Sequence, residues 1–302
     1  MKSTIQNMLE QYQPANDDDY RNALKEIVQE IALSGLSRTN FFREAAFYGG
    51  TALRIFHGLA RFSEDMDFSL LAPDAQFTLT DYFRAIEQEL SAYGLRMTIS
   101  QKNKLHPTAI QSAFIKGGTL IQIISIEQRE DLHISGISPQ EQVKIKIEID
   151  TNPPVGADYE FHYALRPRPF AVRLYDRPSL FAGKIHAVLC RNWQHRVKGR
   201  DLYDYVWYLS DQTPVNLFHL QKRLEQSGQW QEEEALTLDS VKELLMRRFE
   251  VIDFRAARED VLPFIKDSSE LELWGKDFFQ TITQELQGEN MLPAQKERKK
   301  AK

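Results

Sequence analysis

Two short motifs near the N-terminus contain the residue types that bind phosphate and metal ions. Gly49 and Gly50 follow an apolar segment at 45–48 and precede a short helix predicted over 51–57. Glycines at such a turn leave backbone N–H groups open to an approaching phosphate, because no Cβ blocks the approach. Thr51 is placed to cap the helix. The first motif therefore predicts a phosphate-binding turn.

The second motif brings two carboxylates together. Asp65 and Asp67 stand at i and i+2 in a strand predicted over 63–71, so both side chains point to one face. Two like charges at this spacing are unfavourable unless a cation lies between them, and hard oxygen ligands suit Mg²⁺ or Mn²⁺ better than zinc. A phosphate-binding turn followed by a metal-binding pair is what nucleotidyl transfer requires. A plain glycine turn followed by a solvated acidic strand is the alternative.

A later strand, predicted over 143–150, offers a third carboxylate. Lys144, Lys146, Glu148 and Asp150 fall on one face of this strand, and the isoleucines fall on the other. The same alternation fits a strand whose charged face is simply solvated. On the functional interpretation, either Glu148 or Asp150 joins the metal-binding pair from a neighbouring strand. Side-chain parity does not separate the two, and we favour Glu148.

Two helices predicted in the second half of the chain carry further charged residues. Lys184 lies away from the apolar face of the first helix, and Asp201 and Asp204 share a face of the next. A lysine suits a triphosphate or the charge that develops at the α-phosphate. Asp201 can orient that lysine or assist the incoming nucleophile. The alternative is an interhelical salt bridge between Lys184 and one of the aspartates.

Positive charge is concentrated in one segment of the chain. Residues 166–200 contain nine Arg or Lys and a single acid, Asp176. Aromatic residues are interleaved with the basic ones, which is typical of a surface that binds an RNA backbone. A solvated basic face is the alternative. The candidate RNA-binding residues are Arg191, Arg196, Lys198 and Arg200.

The composition excludes several other classes of protein. With 42% hydrophobic residues, the 302-residue chain can bury a substantial core, and its net charge of −5 argues against coating nucleic acid by bulk charge. The one cysteine, Cys190, excludes an intramolecular disulfide, and no apolar stretch approaches the length of a membrane span. The seven histidines are scattered without zinc-ligand spacing. We therefore expect a cytoplasmic protein with no membrane partner.

Hydrophobic periodicity divides the chain into a mixed part and a helical part. Further predicted elements are helices over 17–35 and 79–93 and strands over 95–100, 113–116 and 120–127. Residues 151–178 hold five of the twelve prolines, which predicts an irregular connection, and nearly everything from 179 to 286 is predicted to be helical. The expected fold is α+β, with a mixed-sheet core at 1–175, a helical domain at 176–286 and a disordered tail at 287–302.

In combination these motifs resemble a known family. The residues GGTALR…RFSEDMDF are similar to the signature of the AbiEii/AbiGii-type nucleotidyltransferase toxins of type IV toxin–antitoxin and abortive-infection systems. The stretches VKIKIEIDTNPP and FAGKIHAVLCR…KGRDLYDYVWYL resemble two further motifs of that family. The resemblance covers residues 44–210. It implies a minimal DNA-polymerase-β-like nucleotidyltransferase core followed by a helical part.

The resemblance also implies roles for particular residues and partners. Gly49 and Gly50 would approach the nucleotide phosphates, Ser63 would contact them, and Asp65 and Asp67 would hold Mg²⁺ or Mn²⁺. Studied members of the family transfer nucleotides from NTPs, in some cases to the acceptor end of tRNA. The expected partners are therefore an NTP, an RNA acceptor such as tRNA, and a cognate antitoxin. A transferase acting on a small molecule or a protein, and a nucleotide-binding module without turnover, stay open as alternatives.

Overall fold

The computed structural model describes residues 3–101, 108–119, 141–192, 197–231 and 234–289. The chain groups into two compact units. The first unit comprises Met1–Pro153, Tyr159–Tyr175 and Pro263–Lys266. The second comprises Pro154–Asp158, Asp176–Leu262 and Asp267–Lys302. No helix within the described residues combines the length and the apolar character needed to cross a membrane.

The first unit combines helices with one sheet. Its helices are α1 (Thr4–Tyr12), α2 (Asp17–Ser37), α3 (Phe41–Glu44), α4 (Gly49–His57) and α5 (Phe83–Ala92). Its strands are β1 (Ala45–Tyr48), β2 (Met66–Leu70), β3 (Met97–Gln101), β4 (Ile110–Thr119), β5 (Gln142–Asp150), β6 (Tyr159–Ala164) and β7 (Phe170–Tyr175). The seven strands form a single sheet in the order β3-β4-β5-β2-β1-β7-β6.

The sheet is mixed. Strand β2 pairs in parallel with β5, and β1 pairs in parallel with β7. The other neighbouring strands are antiparallel. A mixed sheet with helices confirms the predicted α+β fold class. The antiparallel pair of β1 and β2, which brings the two motifs together, lies at the centre of the sheet, and a parallel pair lies on each side of it.

Helix α2 supplies much of the core of the first unit. Asn16 caps it, because its side chain accepts a hydrogen bond from the Asp19 backbone N–H. Its apolar stripe, which includes Leu24, Ile27 and Ile31, is buried in one cluster with the isoleucines of β5. The helix predicted over 17–35 is therefore confirmed, with two further residues at its C-terminal end.

The irregular connection predicted over 151–178 is wrong, because β6 and β7 lie inside it. The prolines flank these strands rather than interrupt them. In β7, the buried residues Phe170, Val172 and Leu174 alternate with partly exposed ones, as expected of a strand packed on one face. The high proline content of residues 151–178 predicts irregular structure, although the period-two alternation of a strand is present in the sequence.

Other predicted boundaries shift by a few residues. The strand predicted over 63–71 begins only at Met66, so Asp65 directly precedes β2 rather than lying within it. The helix predicted over 79–93 begins with the 3₁₀ turn Leu79–Tyr82 before α5. The strand predicted over 120–127 lies outside the described residues.

The second unit is helical where the structure describes it. Its helices are α6 (Arg177–Cys190), α7 (Gly199–Ser210), α8 (Leu217–Gln226), α9 (Leu238–Phe249), α10 (Phe254–Val261) and α11 (Lys276–Thr283). Aromatic rings fill its interior: Phe181 stacks on Tyr208 with centroids 4.4 Å apart, and Phe249 packs on Phe279 at 5.3 Å. Gly288, in the segment predicted to be a tail, pairs with Val215, and residues 290–302 lie outside the described residues.

Candidate active site

The two glycines of the first motif lie at the end of β1, where α4 begins. Gly49 has φ +82°, a conformation that favours glycine. A Cβ at Gly49 would lie 2.7 Å from Asp67 Oδ2, and a Cβ at Gly50 would lie 2.6 Å from Arg61 Nη2. A Cβ at Gly49 would therefore displace the Asp67 carboxylate, and a Cβ at Gly50 would displace the Arg61 guanidinium, so the glycines allow both side chains to approach the turn closely.

Thr51 has a different role from the predicted one. The prediction that it caps α4 is wrong, because the helix begins at Gly49 and Tyr48 is its N-cap residue. The buried Thr51 hydroxyl instead donates to the Asp65 backbone carbonyl and lies 2.9 Å from Ser63 Oγ. This side chain therefore ties the first turn of α4 to the loop that carries the second motif.

Helix α2 holds the same loop from another direction. The Gln29 side-chain amide donates to the carbonyl oxygens of Ser63 at 3.1 Å and Glu64 at 2.9 Å, and Gln29 itself is fully buried. Lys25 Nζ lies 2.8 Å from Glu64 Oε1. The sequence analysis missed both residues. The available signal was a glutamine within the buried stripe of α2, where a polar side chain requires a hydrogen-bond partner.

The strand register places one candidate third carboxylate beside the pair. On β2, Asp67 lies opposite Tyr48 of β1 on one side and Glu148 of β5 on the other. Asp150 lies opposite Ser69, two residues farther along. The neighbours of Asp67 in the chain, Met66 and Phe68, are buried, so the carboxylate is on the face away from the core.

The Glu148 carboxylate has close partners within β4 and β5. Its Oε1 accepts a hydrogen bond from Ser112 Oγ at 2.9 Å, and its Oε2 lies 2.6 Å from Lys146 Nζ. Among the described residues, Asp65, Asp67 and Glu148 do not form a set of three with ligand atoms all within 4.8 Å of one another. The register therefore places Glu148 opposite Asp67, while the Glu148 carboxylate forms an ion pair with Lys146.

A second cluster of charged residues lies in the second unit, between α6 and α7. Lys184 Nζ lies 2.6 Å from Asp201 Oδ1 and 2.7 Å from Asp204 Oδ2. Arg191 Nη1 lies 3.1 Å from Asp201 Oδ2. Both aspartates are buried, and only 12% of the Lys184 side chain is exposed. The interhelical salt bridge considered from the sequence is thus present, and it is buried.

The charges of this cluster govern the ionisation of Asp201. Burial acts to raise the pKa of Asp201, but the positive charges of Lys184 and Arg191 outweigh burial and hold the pKa below its usual value. Asp201 is therefore an anion throughout the neutral range. Since its pKa is lowered in the folded state, the stabilisation is present above the ordinary pKa of an aspartate and is lost as the pH falls through the folded-state pKa.

The candidate RNA-binding residues differ in exposure. The Arg191 side chain is 42% exposed. The Arg200 side chain is mostly buried, with Nε 3.7 Å from Asp260 Oδ2. Lys198 is the partly exposed residue that precedes α7. Arg196 lies outside the described residues.

Other basic residues of the 166–200 segment belong to the first unit and have acidic partners there. Arg166 Nη2 lies 2.7 Å from Glu30 Oε1, and Arg168 Nε lies 3.3 Å from Glu89 Oε1. Acidic residues that are distant in sequence thus neutralise part of the positive charge of residues 166–200. Counting charges along a segment overestimates the free positive charge, because it ignores pairing across the fold.

The glycine turn and the Asp67 carboxylate thus lie together at the start of a helix and at the centre of a mixed sheet. The comparisons with known proteins define the family. Residues 31–283 match the family model described as "Nucleotidyl transferase AbiEii toxin, Type IV TA system", and the chain belongs to this family. The protein is therefore an enzyme of the nucleotidyltransferase class, and the resemblance noted in the sequence is confirmed.

The similar solved structures include two proteins from Helicobacter pylori. JHP933 has 17% sequence identity and a TM-score of 0.47, and the match covers 93% of this chain and 97% of the other. A putative nucleotidyltransferase has 17% identity and a TM-score of 0.41, with 86% and 92% covered. The comparison with curated proteins finds no match. Family membership implies an NTP substrate and an antitoxin partner.

Proposed function

We propose that this protein transfers a nucleotide from an NTP to a hydroxyl group of an RNA acceptor, with tRNA as the acceptor class. The observation that carries the proposal is the close approach of the Asp67 carboxylate to the glycine turn, where a Cβ at Gly49 would lie 2.7 Å from Asp67 Oδ2. The turn is the N-terminal end of α4, where backbone N–H groups and the helix dipole favour an anion. The triphosphate and the carboxylates that bind the metal ion therefore have adjoining positions in the first unit.

Asp65 and Asp67 are the proposed ligands of a divalent ion, Mg²⁺ or Mn²⁺. The donor set consists of oxygen atoms, which suits these hard cations, and both carboxylates are partly exposed. When bound, the ion neutralises charge on the reacting phosphates. Glu148 is the proposed third ligand, because it lies opposite Asp67 in register. To bind, Glu148 must exchange its contact with Lys146.

The remaining residues of the motif bind and orient the nucleotide in this proposal. The N–H groups of Gly49 and Gly50 donate to the phosphates, and the Ser63 hydroxyl makes a further contact. Thr51 and Gln29 do not touch the nucleotide; they keep the Ser63 loop against α4 through the hydrogen bonds described above. Such positioning by fixed polar groups is the main contribution of the protein in this class of reaction.

The proposed chemical step is a displacement at the α-phosphorus. The acceptor hydroxyl oxygen forms a bond to the α-phosphorus. The bond between the α-phosphorus and the oxygen that bridges to the β-phosphorus breaks. Pyrophosphate leaves with the electron pair of that bond, and the hydroxyl proton passes to a carboxylate of the Asp65/Asp67 pair. The products are pyrophosphate and an acceptor extended by one nucleotide.

Lys184 is the proposed triphosphate-binding cation of the helical motif, and Asp201 is the residue that orients it. The support is the 2.6 Å contact between them and the resemblance of this stretch to the helical motif of the family. Asp204 adds a second carboxylate at 2.7 Å from the same ammonium group. This double contact fixes the position of the ammonium group.

The proposed RNA contact is tested at Arg191, the most exposed of the described candidates. Arg191→Glu should weaken RNA association and give a shallower salt dependence than the parent protein, because fewer counterions are released on binding. Arg247→Glu is the matched control, since Arg247 is an exposed arginine of the same unit. Equal affinities and equal salt slopes for the two variants would remove Arg191 from the RNA-binding surface.

The acceptor is identified by incubation with an NTP labelled at the α-phosphorus. Parallel reactions contain total RNA, RNA depleted of tRNA, or the protein alone. The proposal predicts label in tRNA-sized RNA in the first reaction and its loss in the other two. Label that appears in protein, or in small molecules of a cell extract, would contradict the RNA acceptor and support the other transferase class.

A further inference from the structure

Three potential metal ligands meet in the first unit, away from the carboxylates of β2. His57 is the last residue of α4, and Glu160 and His162 stand at i and i+2 on β6, an edge strand of the sheet. One ligand atom from each of the three residues lies within 4.8 Å of the others, and all three residues are partly buried. His162 Nε2 is 2.8 Å from Glu160 Oε1, and the two imidazole centroids are 4.9 Å apart.

We propose that His57, Glu160 and His162 form a transition-metal site, with Zn²⁺ as the ion that the ligands suit best. Two imidazoles and one carboxylate are a common donor set for zinc when three protein ligands leave one position for water. Mg²⁺ and Ca²⁺ prefer sites made of oxygen alone. The nitrogen donors therefore distinguish this site from the one proposed at Asp65 and Asp67.

The separations are compatible with an ion after small side-chain movements. Zinc lies about 2.0–2.1 Å from imidazole nitrogen, so tetrahedral ligand atoms are about 3.4 Å apart. His162 and Glu160 are slightly closer than this, and the widest separation in the group does not exceed 4.8 Å. Rotations that shift the ligand atoms by about 1 Å bring the group to that geometry. The side chains of His162 and Glu160 are 30% and 39% exposed, which gives an ion access from solvent.

An ion at this position would connect the C-terminal end of α4 to the edge of the sheet. The opposite end of α4 starts at Gly49, so the ion would fix the helix that carries the glycine turn. A cation near the C-terminal end of a helix is also favoured by the helix dipole. We assign this ion a stabilising role at the C-terminal end of α4, and the site does not depend on the proposed nucleotidyl transfer.

The test uses Co²⁺ as a spectroscopic probe with the full-length protein after treatment with a chelator. Tetrahedral Co²⁺ bound to nitrogen and oxygen ligands absorbs in the visible range, and Zn²⁺ should displace it and remove the absorption. We expect the parent protein to show this spectrum and to gain thermal stability with Zn²⁺, because an ion that binds only the folded state stabilises it.

Variants at the ligands decide the outcome. His57→Gln, His162→Gln and Glu160→Gln should each weaken Co²⁺ binding by about tenfold or more. His186→Gln, at a partly buried histidine of the second unit, and Asp65→Asn should leave the spectrum unchanged. The Glu160 variant changes a partly exposed side chain, so it keeps the test valid if a histidine variant does not fold. No visible spectrum, or equal affinity in the ligand variants and His186→Gln, would overturn the proposal.

Discussion

The two clusters of charged residues differ in what surrounds them. Asp67, in the first unit, is partly exposed and lies so close to the glycine turn that a Cβ at Gly49 would collide with its Oδ2. Asp201 and Asp204, in the second unit, are buried against Lys184. A buried charge needs a partner in its own surroundings, whereas a partly exposed carboxylate can be reached by a ligand from solvent. Burial thus separates residues of the same type.

The largest effect on stability is expected at Lys184. The Lys184 side chain is only 12% exposed, and its ammonium group contacts both Asp201 and Asp204. Lys184→Ala removes this ammonium group, which neutralises both buried carboxylates. We expect a loss of about 3–5 kcal/mol in the free energy of unfolding, measured by urea titration.

The matched control is Arg255→Ala, which breaks the exposed pair with Glu259 on α10. Removal of an exposed pair has little effect on stability. If Lys184→Ala were no more destabilising than this control, the cluster would not be needed for folding. Single-turnover kinetics under folding conditions then test the catalytic proposal separately: a rate reduced by orders of magnitude supports phosphate contact, and a parent-like rate assigns Lys184 to structure.

The next largest effect is expected at the glycine turn. Gly49→Ala places a Cβ 2.7 Å from Asp67 Oδ2 and also forces alanine into a left-handed backbone conformation. The conformation alone costs about 1–2 kcal/mol. Gly94→Ala is a close control, because Gly94 has φ +81° and nothing within 4 Å of the added Cβ.

Both glycine variants should therefore lose stability, but only Gly49→Ala should lose nucleotide binding. Calorimetric titration with a non-hydrolysable NTP measures binding, and thermal unfolding measures stability. If Gly49→Ala bound the nucleotide with unchanged affinity, the glycine turn beside Asp67 would not be the nucleotide-binding site.

Short-range and long-range contacts differ in how far the sequence reveals them. Residues close together in the chain, such as the glycines and the Asp65/Asp67 pair, reveal their chemistry through spacing, and α2 reveals its buried face through periodicity. The burial of Lys184 depends on packing between helices, which spacing does not encode. The approach of His57 to His162 depends on sheet order across more than a hundred residues. Such contacts arise only once the fold is known.

The smallest effect concerns Glu30 of α2. Burial raises the pKa of Glu30 to about 7, and the attraction of Arg166 offsets burial only in part. Because the folded state holds this proton more tightly than the unfolded state, the contribution of Glu30 to stability should decrease as the pH rises from the ordinary pKa of a glutamate to about 7. Glu30→Gln should flatten that part of the stability curve, measured by urea titration at several pH values. If the stability of Glu30→Gln depended on pH as steeply as that of the parent protein, a group other than Glu30 would be responsible.

We propose that nucleotidyl transfer depends on the carboxylates of the second motif, Asp65 and Asp67. The direct measurement compares Asp65→Asn and Asp67→Asn with Asp81→Asn, an exposed carboxylate of the same unit, in transfer from an NTP labelled at the α-phosphorus. We predict that the first two variants lose transfer by about a hundredfold or more while keeping the parent melting temperature within a few degrees, and that Asp81→Asn transfers normally. Full transfer by folded Asp65→Asn or Asp67→Asn would contradict the account.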